Sequence, residues 1–421
     1  MLKMSQPRLK NTNKGKTDQG DELKYLYHDQ HGYELISGKG RLYLSGQAVL
    51  LGFLMNGKRS REEIMQKFEN RYGLKLTNKD FGRFVRALRK YGFLEDREGD
   101  YLTSKLRWSI MEEQKKRFQK KRIREPYFAG SWYKDNPEEL AKDLGICFAS
   151  VDRCKLGIHG KRMERLKGII VPHSNIELSG SCAAWAYQAV AERLLPDLVV
   201  LLAPDHFRFI KYPFSILAKD FRTPLGLVKV DRDIIKMLGE KCNFNIFAYN
   251  TIHMVEHSIE IQLLFLQYLY RNDMKRLRII PILCGQEPLS STTINNHREQ
   301  FLQLLQKIIL KSGRKVVFIA SGDLIHSDGW RPTPHFHKKN KEMIHLLEEG
   351  DAEDFRRRLK FGRYRSCGIM PFYVFLRLLA PTRGKVLNYS WTNKPNPFNR
   401  NVRFSKYERL VNIGYASIAF Y

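Results

Sequence analysis

Residues 169–206 read IIVPHSNIELSGSCAAWAYQAVAERLLPDLVVLLAPDH, and the fold turns on this stretch. It opens in an apolar strand from Leu166 to Val171, passes through a helix from Gly180 to Leu194, and returns to an apolar strand from Leu198 to Ala203. Strands that alternate with helices in this way form a parallel sheet covered by helices. The alternation continues to a strand at Val316 to Ala320. The predicted fold class is therefore α/β, with a mostly parallel central sheet flanked by helices.

Ligands in such sheets sit beyond the carboxyl ends of the strands. His173 stands there after the first strand, His206 after the second, and Ser321-Gly322-Asp323-Leu324-Ile325-His326 follows the third. A lone strand-end histidine is more often a hydrogen-bonded structural residue. Three on one sheet edge, two of them just after a helix-breaking proline (Pro172 and Pro204), point to one shared pocket. A further helix, predicted from Thr251 to Gln267, carries Glu256, His257 and Glu260 near its start, with the two carboxylates on one face. Two carboxylates and an imidazole at a buried helix start require partners.

The chain of 421 residues has 43% hydrophobic and 28% charged residues, a globular composition with room for two domains. Six cysteines without a CxxC pair, and no apolar leader, fit a reducing cytoplasm. The apolar runs are strand-sized, well short of the roughly 20 residues of a membrane helix, so no membrane insertion is expected. A formal net charge of +29 leaves nucleic acid, an acidic peptide or anionic lipid open as partners. The densest basic run is Lys115-Lys116-Arg117-Phe118-Gln119-Lys120-Lys121-Arg122-Ile123-Arg124. A solvated linker explains it equally well.

The division expected is a disordered tail at 1–21, a small domain at 22–105, a basic linker at 106–123 and the α/β domain at 124–421. In the small domain, strand-like pieces between Tyr25 and Leu44 precede a buried helix from Gln47 to Met55. Ser60 and Glu63 form a capping box for a second helix. Thr77 caps a third, in which Phe81, Phe84, Val85 and Leu88 share a face and which Gly92 stops. Phe93-Leu94 and Tyr101-Leu102 then form a hairpin. Helices followed by a hairpin outline a winged helix, an α+β unit that serves DNA or peptide binding. The "FLMNGKRSREEIMQKF" and "VRALRKYGFLE" phrases resemble PqqD-like peptide-recognition domains found beside radical-SAM enzymes.

Beyond residue 124 the resemblance is denser. "REPYFAGSWYKDNPEEL", "PHSNIELSGSCAAWAY", "LLAPDHF", "FRTPLGLVKVD", "HMVEHSIEIQLLFLQ", "IIPILCG", "SGDLIH" and "SCGIMPF" resemble, in order, the blocks of the Memo family, called AmmeMemoRadiSam system protein B in bacteria and archaea. That family is similar to the class III extradiol dioxygenases. The resemblance implies a dioxygenase-like arrangement with His173, His206 and Cys367 as metal ligands, Cys367 standing where the dioxygenases have a carboxylate. Fe(II) is the implied metal, with Cu or Zn as alternatives. His326 would move a proton, with Asp323, His257 and Glu256 orienting the site. If the turn from Asp323 to His326 is helical, the carboxylate can orient that imidazole. Two departures stand beside the site: Ser174-Asn175 replaces the usual Ala-Gly after His173, and Gly322 replaces a serine before Asp323.

The function this implies is a non-haem iron redox enzyme acting with AMMECR-type and radical-SAM partners, with a peptide substrate delivered through the N-terminal domain. Its rivals are a non-catalytic peptide- or protein-binding adaptor, and a nucleic-acid-binding protein.

Overall fold

The structure is a computed structural model with two compact units, Met1–Arg117 and Phe118–Tyr421. Of the first it describes residues 24–28, 32–37, 40–44, 48, 51, 55, 60–72 and 76–90. Of the second it describes all but 157–165, 194, 208–209, 272, 286–290, 329–331, 359–363, 393, 395 and 399–410.

In the first unit, β1 (Lys24–His28), β2 (Gly32–Ser37) and β3 (Gly40–Leu44) form an antiparallel meander. Helix α1 (Arg61–Tyr72) starts at the expected capping box: Glu63 N donates to Ser60 Oγ at 3.2 Å, and Ser60 N donates to Glu63 Oε2 at 2.7 Å. Helix α2 (Asn78–Lys90) starts where Thr77 Oγ1 accepts from Asp80 N at 3.1 Å. Phe81, Phe84 and Leu88 are buried while Arg83, Arg86 and Lys90 are exposed, one apolar stripe at helical spacing. The predicted tail, the hairpin at 93–102, the linker up to residue 117 and all of the 47–55 helix except Ala48, Leu51 and Met55 lie outside the described residues.

The second unit begins with β4 (Ile123–Arg124), α3 (Pro137–Ala149), β5 (Gly168–Val171), α4 (Ile176–Arg193) and β6 (Leu198–Pro204). Strands β7 (Phe214–Ile216), β8 (Asp220–Thr223) and β9 (Gly226–Val228) follow, then α5 (Arg232–Lys241), α6 (His257–Tyr270), β10 (Arg278–Cys284), α7 (Thr292–Ser312) and β11 (Val316–Ser321). The remainder is β12 (His326–Asp328), α8 (Pro334–Glu349), α9 (Ala352–Arg358), α10 (Ile369–Leu379), β13 (Gly384–Trp391) and β14 (Val411–Phe420).

The main sheet runs β12-β14-β5-β11-β6-β10-β7, with β13 also paired to β14. Its centre, β5-β11-β6-β10, is parallel, and the pairings of β7, β12, β13 and β14 are antiparallel. The sheet is thus mixed rather than mostly parallel. Antiparallel neighbours need no crossover connection, unlike the parallel strands at the centre. Strands β5 and β6 are buried at every residue, as continuous Val/Ile/Leu runs at a sheet centre must be. Helix α4 packs with α3 and α6, and α7 packs with α5 and α10. Three adjacent strands, β5, β11 and β6, therefore bring His173, Asp323 and His206 to one edge. Among the described residues no helix is long and apolar enough to cross a membrane.

Arg124 and Glu260, both fully buried, form an ion pair that joins the start of this unit to α6. Arg124 also donates through Nε to His253 O at 3.0 Å and through Nη2 to Glu256 O at 3.1 Å. Glu260 accepts from the amides of Tyr127 and Phe128 and from the Tyr133 hydroxyl. Removing one partner of such a pair strands the other charge in the interior. Arg124→Met or Glu260→Leu alone is expected to lower the unfolding free energy in urea by about 3–5 kcal/mol, and the double substitution by less than the sum of the two. Single variants that lose under about 1 kcal/mol would show that the pair is not the clamp described here.

Candidate metal centre

His173 leaves the end of β5 and is 1% exposed. Its Nδ1 lies 2.8 Å from Ser321 Oγ. That hydroxyl owns one proton, which goes to Ser258 O at 2.7 Å, and it already accepts from Gln262 Nε2 at 2.9 Å. Gln262 is held in this orientation because Nε2 also donates to Pro172 O and Oε1 accepts from the Tyr187 hydroxyl. Ser321 can therefore only accept from His173. Nδ1 carries the ring proton, and Nε2 is left as a lone-pair nitrogen facing Cys367 Sγ at 3.2 Å. With no proton on Nε2, the thiol is the donor in this contact.

His206 reaches the same tautomer by another route. Its Nδ1 lies 2.8 Å from Glu256 Oε1, and a carboxylate can only accept, so Nε2 is again the lone-pair nitrogen. Glu256 is the N-cap of α6, accepting from Ser258 N at 3.0 Å and from His206 N at 3.1 Å. Burial pushes its carboxyl up, but His206 and these amides pull it down to about 2. Burial likewise works against a charged His206, yet the charge and hydrogen bond of Glu256 raise it above the ordinary imidazole value. His257, the first residue of α6, stacks on His206 with ring centres 4.4 Å apart and stands 5.1 Å from His173. Trp132 closes over it at 4.3 Å.

Donor atoms of His173, His206 and His257 lie within 4.8 Å of one another, and so do those of His173, Asp323 and Cys367. The anticipated triad is thus divided between two groups that share His173. Cys367 precedes Gly368, the N-cap of α10, and its sulfur accepts from Asp323 N at 3.1 Å. Asp323 turns its carboxylate toward the loop after β5, taking His173 N at 2.9 Å and the Ser174 hydroxyl at 2.8 Å.

The sequence around these residues matches a known family. Residues 124–402 match the family described as Memo-like protein. The chain belongs to the Memo family. It is 32% identical over 272 residues to a MEMO1 family protein of Methanosarcina barkeri, covering 64% of this chain and 92% of the relative. A MEMO1 family protein of Methanopyrus kandleri is 29% identical over 306 residues, 70% of this chain and 98% of the relative. One from Aquifex aeolicus is 28% identical over 358 residues, 82% and 86% of the two chains.

Both departures of this Memo chain have physical reasons. A Cβ on Gly322 would stand 2.6 Å from Gly368 Cα and 2.7 Å from the Phe372 ring, so glycine lets the β11 loop close onto the Cys367 loop. Ser174 adds a hydroxyl to Asp323, and Asn175 Oδ1 accepts from Leu178 N at 2.9 Å, capping the first turn of α4.

The local geometry differs from expectation at two other places. The turn from Asp323 to His326 is not helical, because Leu324 N donates to Gly414 O and Gly414 N donates to Ile325 O, drawing the chain along β14. His326 opens β12, is 2% exposed, and belongs to neither donor group. Glu256 and Glu260 part company: the first faces His206 and the second faces Arg124. Ser321, Gln262 and Trp132 were not singled out in the sequence, where nothing distinguishes a serine or glutamine in an apolar run. An open cleft of ≈ 540 Å³ lies at the opposite edge, where Asp197, Arg278 and Arg314 precede or open strands, and Asp231 takes Arg314 there. None of the residues above lines it.

Burial holds His173 and His257 below the ordinary imidazole value of 6.5, and takes His253 down to about 3. The unfolded chain protonates each near pH 6.5, the folded chain does not, so the unfolded state binds more protons as the pH falls. Stability is then full above about pH 6.5 and declines below it by up to about 1.4 kcal/mol per pH unit for each such imidazole. Glu256 adds a loss of the same sign below its ordinary 4.5, and His206 acts in the opposite sense only as the pH rises. Urea unfolding at about pH 7.5, 6.5 and 5.5 reads this slope. A stability that stays level or climbs on acidification contradicts the assignment of neutral buried imidazoles.

Proposed function

We propose that this chain is a metal-dependent redox enzyme of the non-haem, dioxygenase-like kind, with His173, His206 and Cys367 holding one transition metal and His257 standing beside them. One observation carries the reading: two neighbouring buried imidazoles have their Nδ1 protons committed elsewhere, which leaves their Nε2 lone pairs available, and that of His173 faces the Cys367 thiol. Ligands at about 2.0–2.3 Å from a tetrahedral ion stand about 3.3–3.8 Å apart; His173 Nε2 and Cys367 Sγ, 3.2 Å apart, are already close to that spacing, and His206 would move toward them to complete the set. Imidazole and thiolate together suit iron, copper or zinc over magnesium or calcium, and Fe(II) is the metal proposed. The bound ion would supply Lewis acidity and, as iron or copper, one-electron redox chemistry.

The chain's own residues have separable tasks. Ser321 and Glu256 fix the two ring orientations, as groups behind metal ligands do. The Cys367 proton leaves when the sulfur becomes a ligand, and the Asp323 amide steadies the sulfur. Trp132 and Phe128 keep the His257 side apolar. His326 is the proposed proton carrier. Radical-SAM and AMMECR-type partners, and a peptide presented by the first unit, are part of the same proposal.

Metal analysis of anaerobically purified protein tests it. The expected content is about one iron, copper or zinc per chain, with release of about one proton per metal taken up near pH 7. Cys367→Ala and His206→Ala should each lose most of the metal. His326→Ala should keep it and, once a substrate is found, turn over slower by roughly 10²-fold. Full metal retention in both ligand variants sinks the reading.

A further inference from the structure

Arg298, in the second turn of α7, is 1% exposed. Its Nη1 donates to Asn295 Oδ1, so the guanidinium is turned back toward the amino end of the helix. Its Nε and Nη2 are buried too, and among the described residues no group accepts from either. These two nitrogens form one edge of the planar guanidinium. Their N–H bonds run parallel at the spacing of two oxygens of a carboxylate or phosphate.

A buried lysine or histidine can shed its proton, but arginine cannot. Burial does press the Arg298 pKa below its ordinary value, with the nearby Arg356 acting in the same direction and Tyr373, Cys284 and Glu299 against it. Glu299 itself is paired with Arg377. The first turn of α7, a 21-residue helix capped by Ser291, adds the positive end of a helix dipole at the same spot. A buried cation and a helix amino end thus meet where, among the described residues, no carboxylate accepts from the free edge; the nearby Arg356 is itself paired with Glu353.

We infer that the amino end of α7 and the Nε/Nη2 edge of Arg298 form a binding site for one small oxyanion, a carboxylate or phosphate group. The site lies near the same sheet edge as the metal centre. Cys284 ends β10 beside Pro204 of β6, and Asp205 N donates to Cys284 O just before His206. The inference does not depend on the centre holding a metal. It makes the chain selective for an anion, either free in solution or carried by a larger ligand.

Thermal unfolding and calorimetric titration of the full chain decide it, with phosphate, acetate and chloride compared at fixed ionic strength. Phosphate or acetate should raise the melting temperature saturably by about 2 °C or more, and chloride by less because it cannot span both N–H groups. Arg298→Met should abolish the response, and Arg298→Lys should weaken it by losing the fork. Acetate binding tighter than phosphate would mark a carboxylate site, and the reverse a phosphate site. Three results overturn the inference: no saturable oxyanion binding to the wild-type chain, a response no greater than that to chloride, or an undiminished response in Arg298→Met. If Arg298→Met does not fold, the wild-type titration alone still decides.

Discussion

The Arg124–Glu260 pair is the fastening from which the rest of the centre hangs. Each charge is buried, so each must be surrounded by complementary groups. Satisfying Glu260 draws in the amides of Tyr127 and Phe128 and the Tyr133 hydroxyl, which sets Trp132 over His257. Satisfying Arg124 draws in the carbonyls of His253 and Glu256, which fixes the cap of α6. Glu256 in turn holds the ring of His206. Packing, backbone capping and ring orientation are here one connected requirement.

The two strand-end imidazoles are fixed by different chemistry. A carboxylate behind His206 makes its Nε2 electron-rich and holds nearby charge, whereas a neutral hydroxyl behind His173 fixes direction with little effect on basicity. The difference is already visible in the two rings: burial and the neighbouring His206 depress His173, while Glu256 lifts His206 against the same burial. A centre built this way has one strong and one weak nitrogen donor, with a sulfur alongside the weak one.

Strand ends made the positions of His173, His206 and Asp323 readable in the sequence, because each follows an apolar run, and three such ends fall on one sheet edge. The capping box at Ser60 and the cap at Thr77 were readable from local sequence as well. Ser321 was not, since its role depends on where Gln262 and the Ser258 carbonyl arrive from a distant helix. Arg124 looked like the end of a basic run, and only its burial against α6 separates it from its exposed neighbours. Glu256 was placed on a helical face with Glu260, but a cap lies outside the helical repeat and points elsewhere. The antiparallel margin escaped because long-range pairing partners leave no local period.

The position of β14 in the sheet has a consequence for how the chain is made. It covers β5, with Ile418 opposite Ile170 and Phe420 opposite Gly168. On the ribosome β5 emerges long before that neighbour, and it presents a bare apolar edge in the meantime. Gly414 of the same strand draws the Asp323–His326 loop into place. The loop that carries Asp323 and His326 is therefore completed only once residues 411–420 have been translated, and the edge of β5 is open to strand-to-strand association until then.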